Sequence, residues 1–258
     1  MYLNVEVWIV IVLCGVYFTA GFVDSIAGGG GLISIPAFLL TGVPPELVLG
    51  TNKMVGCIGT TSSLMTYAKK GYVIWSLALA GIPAAILGGF IGSKTILLFD
   101  SAQIGKIIIF LLPLGIIAAL MPKKESHQTK ELTNKVTYIY NPVICFTLGF
   151  YDGFFGPGTG SFFILFFHFF LGMGLIYASA TAKIFNLTTS VGSLVAFALN
   201  NKVLYTLAIP LAISNIAGNI IGSKLAMKIG APFIRKMLII SLTILLVSLA
   251  WKFILFNN

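Results

Sequence analysis

Apolar runs of roughly 15 to 25 residues recur along this chain from Val5 to Phe256, and nothing else limits its fold as much. A single water-soluble core cannot hide 58% apolar residues in a chain of 258 with only 9% charged. Runs of that length suit helices that cross a bilayer, whereas barrel strands read as about ten alternating residues. The fold class expected is therefore an all-α polytopic membrane protein with about 8–10 membrane segments, in a cytoplasmic (inner) membrane, crossing it many times. The longest polar stretch is Pro122–Lys135, which leaves no room for a separate soluble domain. Met1–Asn4 carries no Lys or Arg and Glu6 is acidic, so Val5–Val23 is expected to be a retained helix rather than a signal peptide. Cys14, Cys57 and Cys145 lie singly in apolar sequence with no CxxC, which points to neither disulfides nor a metal site. The net charge of +9 comes mainly from Lys and Arg in short loops. That pattern fits the positive-inside rule and anionic lipid headgroups; nucleic acid is not an expected partner.

The chain is written twice. "GFVDSIAGGGG" at Gly21–Gly31 matches "GFYDGFFGPGT" at Gly149–Thr159, 128 positions later. "TNK" at Thr51–Lys53 matches "TAK" at Thr181–Lys183, and "GGFIGSK" at Gly88–Lys94 matches "GNIIGSK" at Gly218–Lys224, both 130 positions later. The blocks keep their order with one small insertion, which predicts two homologous transmembrane repeats, 1–128 and 129–258. Each repeat predicts a first helix (Val5–Val23; Val136–Phe150), a Gly-rich break (Asp24–Gly31; Asp152–Gly160) and a short apolar segment (Leu32–Leu40; Phe162–Leu171). A third helix (Thr51–Ala68; Ala180–Leu199), a fourth (Tyr72–Ser93; Val203–Ser223) and a fifth (Ile104–Met121; Phe233–Phe256) follow.

The short segments decide the topology. A helix over Leu32–Leu40 is about 14 Å long and cannot span a core of about 30 Å alone. If it is re-entrant the repeats are parallel; if helix, break and segment together add a crossing they are inverted. Inverted repeats would gather Lys69, Lys70, Lys123, Lys124, Lys130, Lys135, Lys224, Lys228, Arg235 and Lys236 on one side, against Lys94, Lys106, Lys202 and Lys252. Parallel repeats would split these cations nearly evenly, so the positive-inside rule favours inversion.

Irregular backbone in hydrocarbon is tolerated only where protein covers it or where it lines a cavity. A glycine run before a short helix also leaves N–H groups at that helix's N-terminus, where the dipole favours an anion. Two such breaks converging near the midplane would make a transporter site from Gly28, Gly29, Gly30 and Gly31 with Gly156, Gly158, Thr159 and Gly160. The plainer alternative is that the glycines serve close helix packing. Asp24 and Asp152 are the acids within the apolar runs, and each is either a carrier of a coupling proton or a cap for the glycine turn. Lys53 and Lys183 either neutralise a bound anion, pair with the acids, or snorkel to an interface. Thr51, Asn52 and Thr181 offer uncharged hydrogen bonds beside them, as do Thr60–Ser63, Asn186, Thr188–Ser190, Asn215 and Asn219. Ser161 and His168 lie two turns apart on one helix, about 10 Å and too far for a nucleophile–base pair. No Walker loop, HExxH or complete Rossmann motif appears, so neither a catalytic residue nor a cofactor or metal is expected.

"GFVDSIAGGGGLISIP", "LGTNK" and "GGFIGSK", in this order, resemble the TauE/SafE family of membrane transporters, also labelled sulfite exporters. The resemblance covers essentially the whole chain. It implies a secondary carrier of small sulfur-containing anions such as sulfite or organosulfonates, many members exporting them, and it carries Asp24, Gly28–Gly31, Thr51, Asn52 and Lys53 into the site. Pro157 and Thr159 replace glycines and Ala182 replaces the asparagine in the second repeat, which implies an asymmetric site. The reading is a non-enzymatic transporter whose partners are a small anionic substrate and the lipid bilayer, compatible with a homo-oligomer. A carrier or channel for a carboxylate or metal ion, and an intramembrane enzyme, are the alternatives.

Overall fold

The computed structural model describes residues 6–107 and 133–230, together with Phe233 and Lys236. Among them the elements are helical. They are α1 (Val7–Ala27), α2 (Gly31–Leu39), α3 (Pro45–Ala68), α4 (Trp75–Ile96), α5 (Asn141–Phe154, entered through a π turn at Val136–Tyr140), α6 (Thr159–Phe169), α7 (Leu175–Leu199) and α8 (Tyr205–Ile229). Residues 101–107 are also helical; most of both expected fifth helices, and His127 in the polar loop, lie outside the described residues. The chain is membrane-embedded: α1, α4, α7 and α8 are each long and apolar enough to cross a bilayer. At 24 residues α3 is long enough too, but its buried face carries Thr51, Lys53, Thr60 and Ser63.

The boundaries depart from expectation at the breaks. Helix α1 continues through Asp24 to Ala27 and stops only at Gly28, whose φ of 78° sets the left-handed turn that closes on the Asp24 carbonyl. The break is thus Gly28–Gly30 rather than Asp24–Gly31. Helix α3 begins earlier than expected, at Pro45, because proline's fixed φ and missing N–H suit the first helical position. Helix α2 has 9 residues and α6 has 11, so the small insertion falls inside the short helix.

The packing exchanges the two halves. Helix α1 lies against α8, and α5 against α4, through glycines whose missing side chains admit the partner backbone. A Cβ on Gly218 would stand 2.0 Å from the Phe18 carbonyl oxygen, and one on Gly88 would stand 2.3 Å from that of Phe146. The contacts also give directions. Tyr17 meets Asn215 and Phe22 meets Gly222, so α1 and α8 run the same way. Thr51 meets Leu204 and Gly59 meets Asn215, so α3 runs with α8; Thr181 meets Ile74 and Gly192 meets Ile86, so α7 runs with α4. Gly50 approaches Phe197 at one end, while Tyr67 and Ser179 reach neighbouring carbonyls of α1 at the other, so α3 and α7 run oppositely.

Two of these contacts are helix caps supplied by the other half. Leu204, at the start of α8, donates its N–H to Thr51 Oγ1 at 2.9 Å, and Ile74, at the start of α4, donates to Thr181 Oγ1 at 3.2 Å. Both threonines are fully buried. Thr51→Val is expected to leave one such N–H without its acceptor and to cost about 1 kcal/mol, read as a lower unfolding temperature in detergent. Thr51→Ser should restore it.

Candidate functional site

The breaks leave backbone carbonyls open in the middle of the protein, and side chains from other helices close them. At the end of α1, Tyr67 donates to the Ser25 carbonyl at 2.9 Å, Ser179 to that of Ile26 at 3.0 Å and Ser161 to that of Ala27 at 2.7 Å. Lys183 takes the Asp24 carbonyl and also pairs with its carboxylate at 3.1 Å, while Gly30 N–H donates to the other carboxylate oxygen at 3.3 Å. The second break repeats the device. Lys53 donates to the Asp152 carbonyl at 2.6 Å and pairs with its carboxylate at 2.8 Å, and Ser93 closes the Gly153 carbonyl at 3.0 Å. Each lysine thus fastens the broken helix of the opposite half. Because Lys53 is 5% exposed, Asp152 2% and Lys183 0%, these charges have lost their water and need one another.

A small cavity of about 60 Å³ lies between the breaks. Asp24, Gly28, Gly30 and Gly31 line it from one half; Asp152, Gly156 and Gly158 do so from the other. The N-terminal ends of α2 and α6 therefore both open onto it, and with them the positive ends of two helix dipoles. Asn52 and Lys53 reach it from α3; Asn186, Ser190 and Asn215 reach it from α7 and α8. The Lys53 ammonium donates one N–H to the Asp152 carbonyl and stands 2.8 Å from Asp152 Oδ2 as its counter-charge, without a hydrogen bond of good geometry to that oxygen.

Several residues expected at the site stand elsewhere. Gly29, Thr159 and Gly160 belong to the same turns but do not line the cavity. Thr51 and Thr181 are the cross-half caps. Lys183 sits behind Asp24 rather than facing the cavity, so the two lysines are not equivalent. Ser161 and His168 are engaged separately, with the Ala27 and Met173 carbonyls respectively. Tyr17 and Ser34 also line the cavity, although each lies in an apolar run of the sequence. Tyr17 looked like one aromatic in an apolar run; its spacing of seven from Asp24, two turns along one helix face, was the usable signal.

Comparison with known proteins agrees with the architecture. The family model described as Sulfite exporter TauE/SafE matches residues 13–249. A probable membrane transporter protein of Haemophilus influenzae is 35% identical over 244 residues, covering 92% of this chain and 93% of the relative. The probable membrane transporter protein ORF9 of a Sinorhizobium species is 36% identical over 230 residues, 86% of this chain and 85% of the relative. The probable membrane transporter protein YfcA of Escherichia coli K12 is 34% identical over 230 residues, 89% and 85% respectively. No solved structure matches the chain.

Proposed function

Because the chain belongs to the TauE/SafE family of membrane transporters, we propose that it is a secondary carrier of a small anion, sulfite or a small organosulfonate, exporting it across the cytoplasmic membrane. The observation that carries this reading is the meeting of two half-helix N-termini and the Lys53 ammonium at one small internal cavity. A cavity of about 60 Å³ suits a solute of a few heavy atoms, which favours sulfite over larger sulfonates. The protein's part is non-enzymatic: it binds and releases.

Two repeats, 1–128 and 129–258, form the carrier and cross the membrane many times in opposite senses. The opposed directions of α3 and α7 support this inversion. The site lies where the repeats meet, as alternating access requires.

Charge balance gives the coupling. Asp24, Asp152, Lys53 and Lys183 sum to zero in their ordinary states. An anion entering this buried site adds an unpaired charge, which is costly unless a cation comes with it. A proton on Asp152 supplies the balance and frees Lys53 to turn to the anion. Asp24, held by Gly30 N–H and Lys183, braces its turn.

Purified protein in proteoliposomes should move sulfite or a small sulfonate, faster with a pH gradient than without, and should discriminate against a carboxylate. Flux of none of these sulfur anions by folded, inserted protein would sink the reading.

A further inference from the structure

The cavity lies between two similar halves, yet three of its uncharged polar side chains have no polar counterpart across the repeat. Tyr17 on α1, Ser34 on α2 and Asn52 on α3 all line it. The positions matching Tyr17 and Asn52 in the second half are Cys145 and Ala182, and those matching Ser34 on either side of the insertion are Phe162 and Ile164. None of these four lines the cavity.

The wall is built and held. Ser34 Oγ lies 2.7 Å from Asn52 Oδ1 and donates to it, which turns the Asn52 amide so that its NH₂ is the group left to give. Tyr17 is fixed at both ends. Its carbonyl accepts from Asn215 Nδ2 at 2.8 Å, and its ring packs edge-on against Phe38 with centroids 6.3 Å apart. The side chain is 1% exposed, and its hydroxyl lies beside Ser34 without a hydrogen bond of good geometry to any protein group. A buried phenol without such a bond is costly, so one fixed beside a polar cavity has the character of a donor waiting for an acceptor.

We infer that Tyr17 and Asn52, with Ser34 orienting the amide, form a one-sided donor wall that reads an unprotonated oxygen of the substrate. This rests on the anion-carrier reading and narrows it. Lys53 and the helix ends supply attraction for any small anion, whereas the wall selects an oxyanion over a spherical halide. The second half, with Cys145 and Ala182 at the matching positions, lacks this trio, and its own uncharged polar groups at the cavity are Asn186, Ser190 and Asn215.

The test is Tyr17→Phe, which keeps the ring and removes one oxygen. Wild type and variant would be compared in proteoliposomes for the concentration dependence of sulfite flux and for competition by methanesulfonate and chloride. The variant should raise the half-saturating sulfite concentration roughly 10- to 100-fold, the size expected for losing a hydrogen bond to a charged group. Its maximal rate should change little and its preference over chloride should fall by a similar factor. Cys145→Ser, at the matching position, should behave as wild type. Should Tyr17→Phe fail to insert, Asn52→Ala reads the same wall, and Ala182 at the matching position is evidence that the fold accepts alanine there. A variant with unchanged half-saturation and unchanged selectivity overturns the donor wall while leaving the carrier standing, and would mean the phenol merely holds water. A wild type that moves no anion overturns both.

Discussion

Lys53→Met is expected to abolish anion flux and to destabilise the protein by roughly 3–5 kcal/mol, because it strands the buried Asp152 carboxylate without a counter-charge. The paired atoms are 2.8 Å apart, and their side chains are only 6% and 3% exposed. The loss of stability by itself would prove little about transport, so the informative variant is the neutral pair Lys53→Met with Asp152→Asn. Removing both charges removes the stranded one, and buried ion pairs replaced in this way are often neutral in stability. What remains short of a donor is the Asp152 carbonyl that Lys53 held at 2.6 Å, a cost of about 1 kcal/mol. The double variant should therefore unfold near the wild-type temperature in detergent and still carry nothing, because it has neither a cation for the substrate nor a site for the proton. The matching pair in the other half, Lys183→Met with Asp24→Asn, should keep part of its flux, since Lys183 stands behind Asp24 and off the cavity. Gradient-driven flux in the Lys53/Asp152 double variant would end the proposal that this pair exchanges partners during transport.

Much of this arrangement can be seen in the sequence, and the parts that cannot share a physical cause. The repeat of Asp24 at Asp152 and of Lys53 at Lys183 identified the charged residues that matter to the core, because ions in apolar runs are too costly to be incidental. The glycine runs marked both breaks to within a few residues, the error coming from α1 continuing through Asp24 before Gly28 turns it. Partner choice was not legible. That Lys53 fastens Asp152 and Lys183 fastens Asp24, crosswise, depends on how the halves interlock, and sequence separation carries no record of it. The same holds for Thr51 and Thr181, whose place beside the lysines suggested ligands, while their hydroxyls cap helices of the opposite half. Tyr17 illustrates the reverse: its spacing from Asp24 puts it on the same helix face, while the state of its buried hydroxyl is visible only in the packing.

Gly28→Ala and Gly42→Ala should separate two meanings of glycine in this fold. The two residues have nearly the same φ, 78° and 77°, so alanine brings each a similar left-handed strain of about 1–2 kcal/mol. Their surroundings differ completely. A Cβ on Gly42 meets nothing within 4 Å, whereas one on Gly28 would stand 2.3 Å from the Gly160 carbonyl carbon and 2.5 Å from the Ser161 nitrogen. Those atoms belong to backbone, so one broken segment has to move away from the other. That movement strains the Ser161 bond to the Ala27 carbonyl and shifts Gly28 and Gly30 in the cavity wall. Gly28→Ala should therefore lose a further 1–3 kcal/mol, roughly the cost of overpacking, together with its flux, while Gly42→Ala keeps flux near wild type. Unfolding temperature and sulfite flux measured side by side on the two variants decide it. Equal losses would mean that the turn conformation alone matters, and that the close contact between the two breaks is not what holds the site in shape.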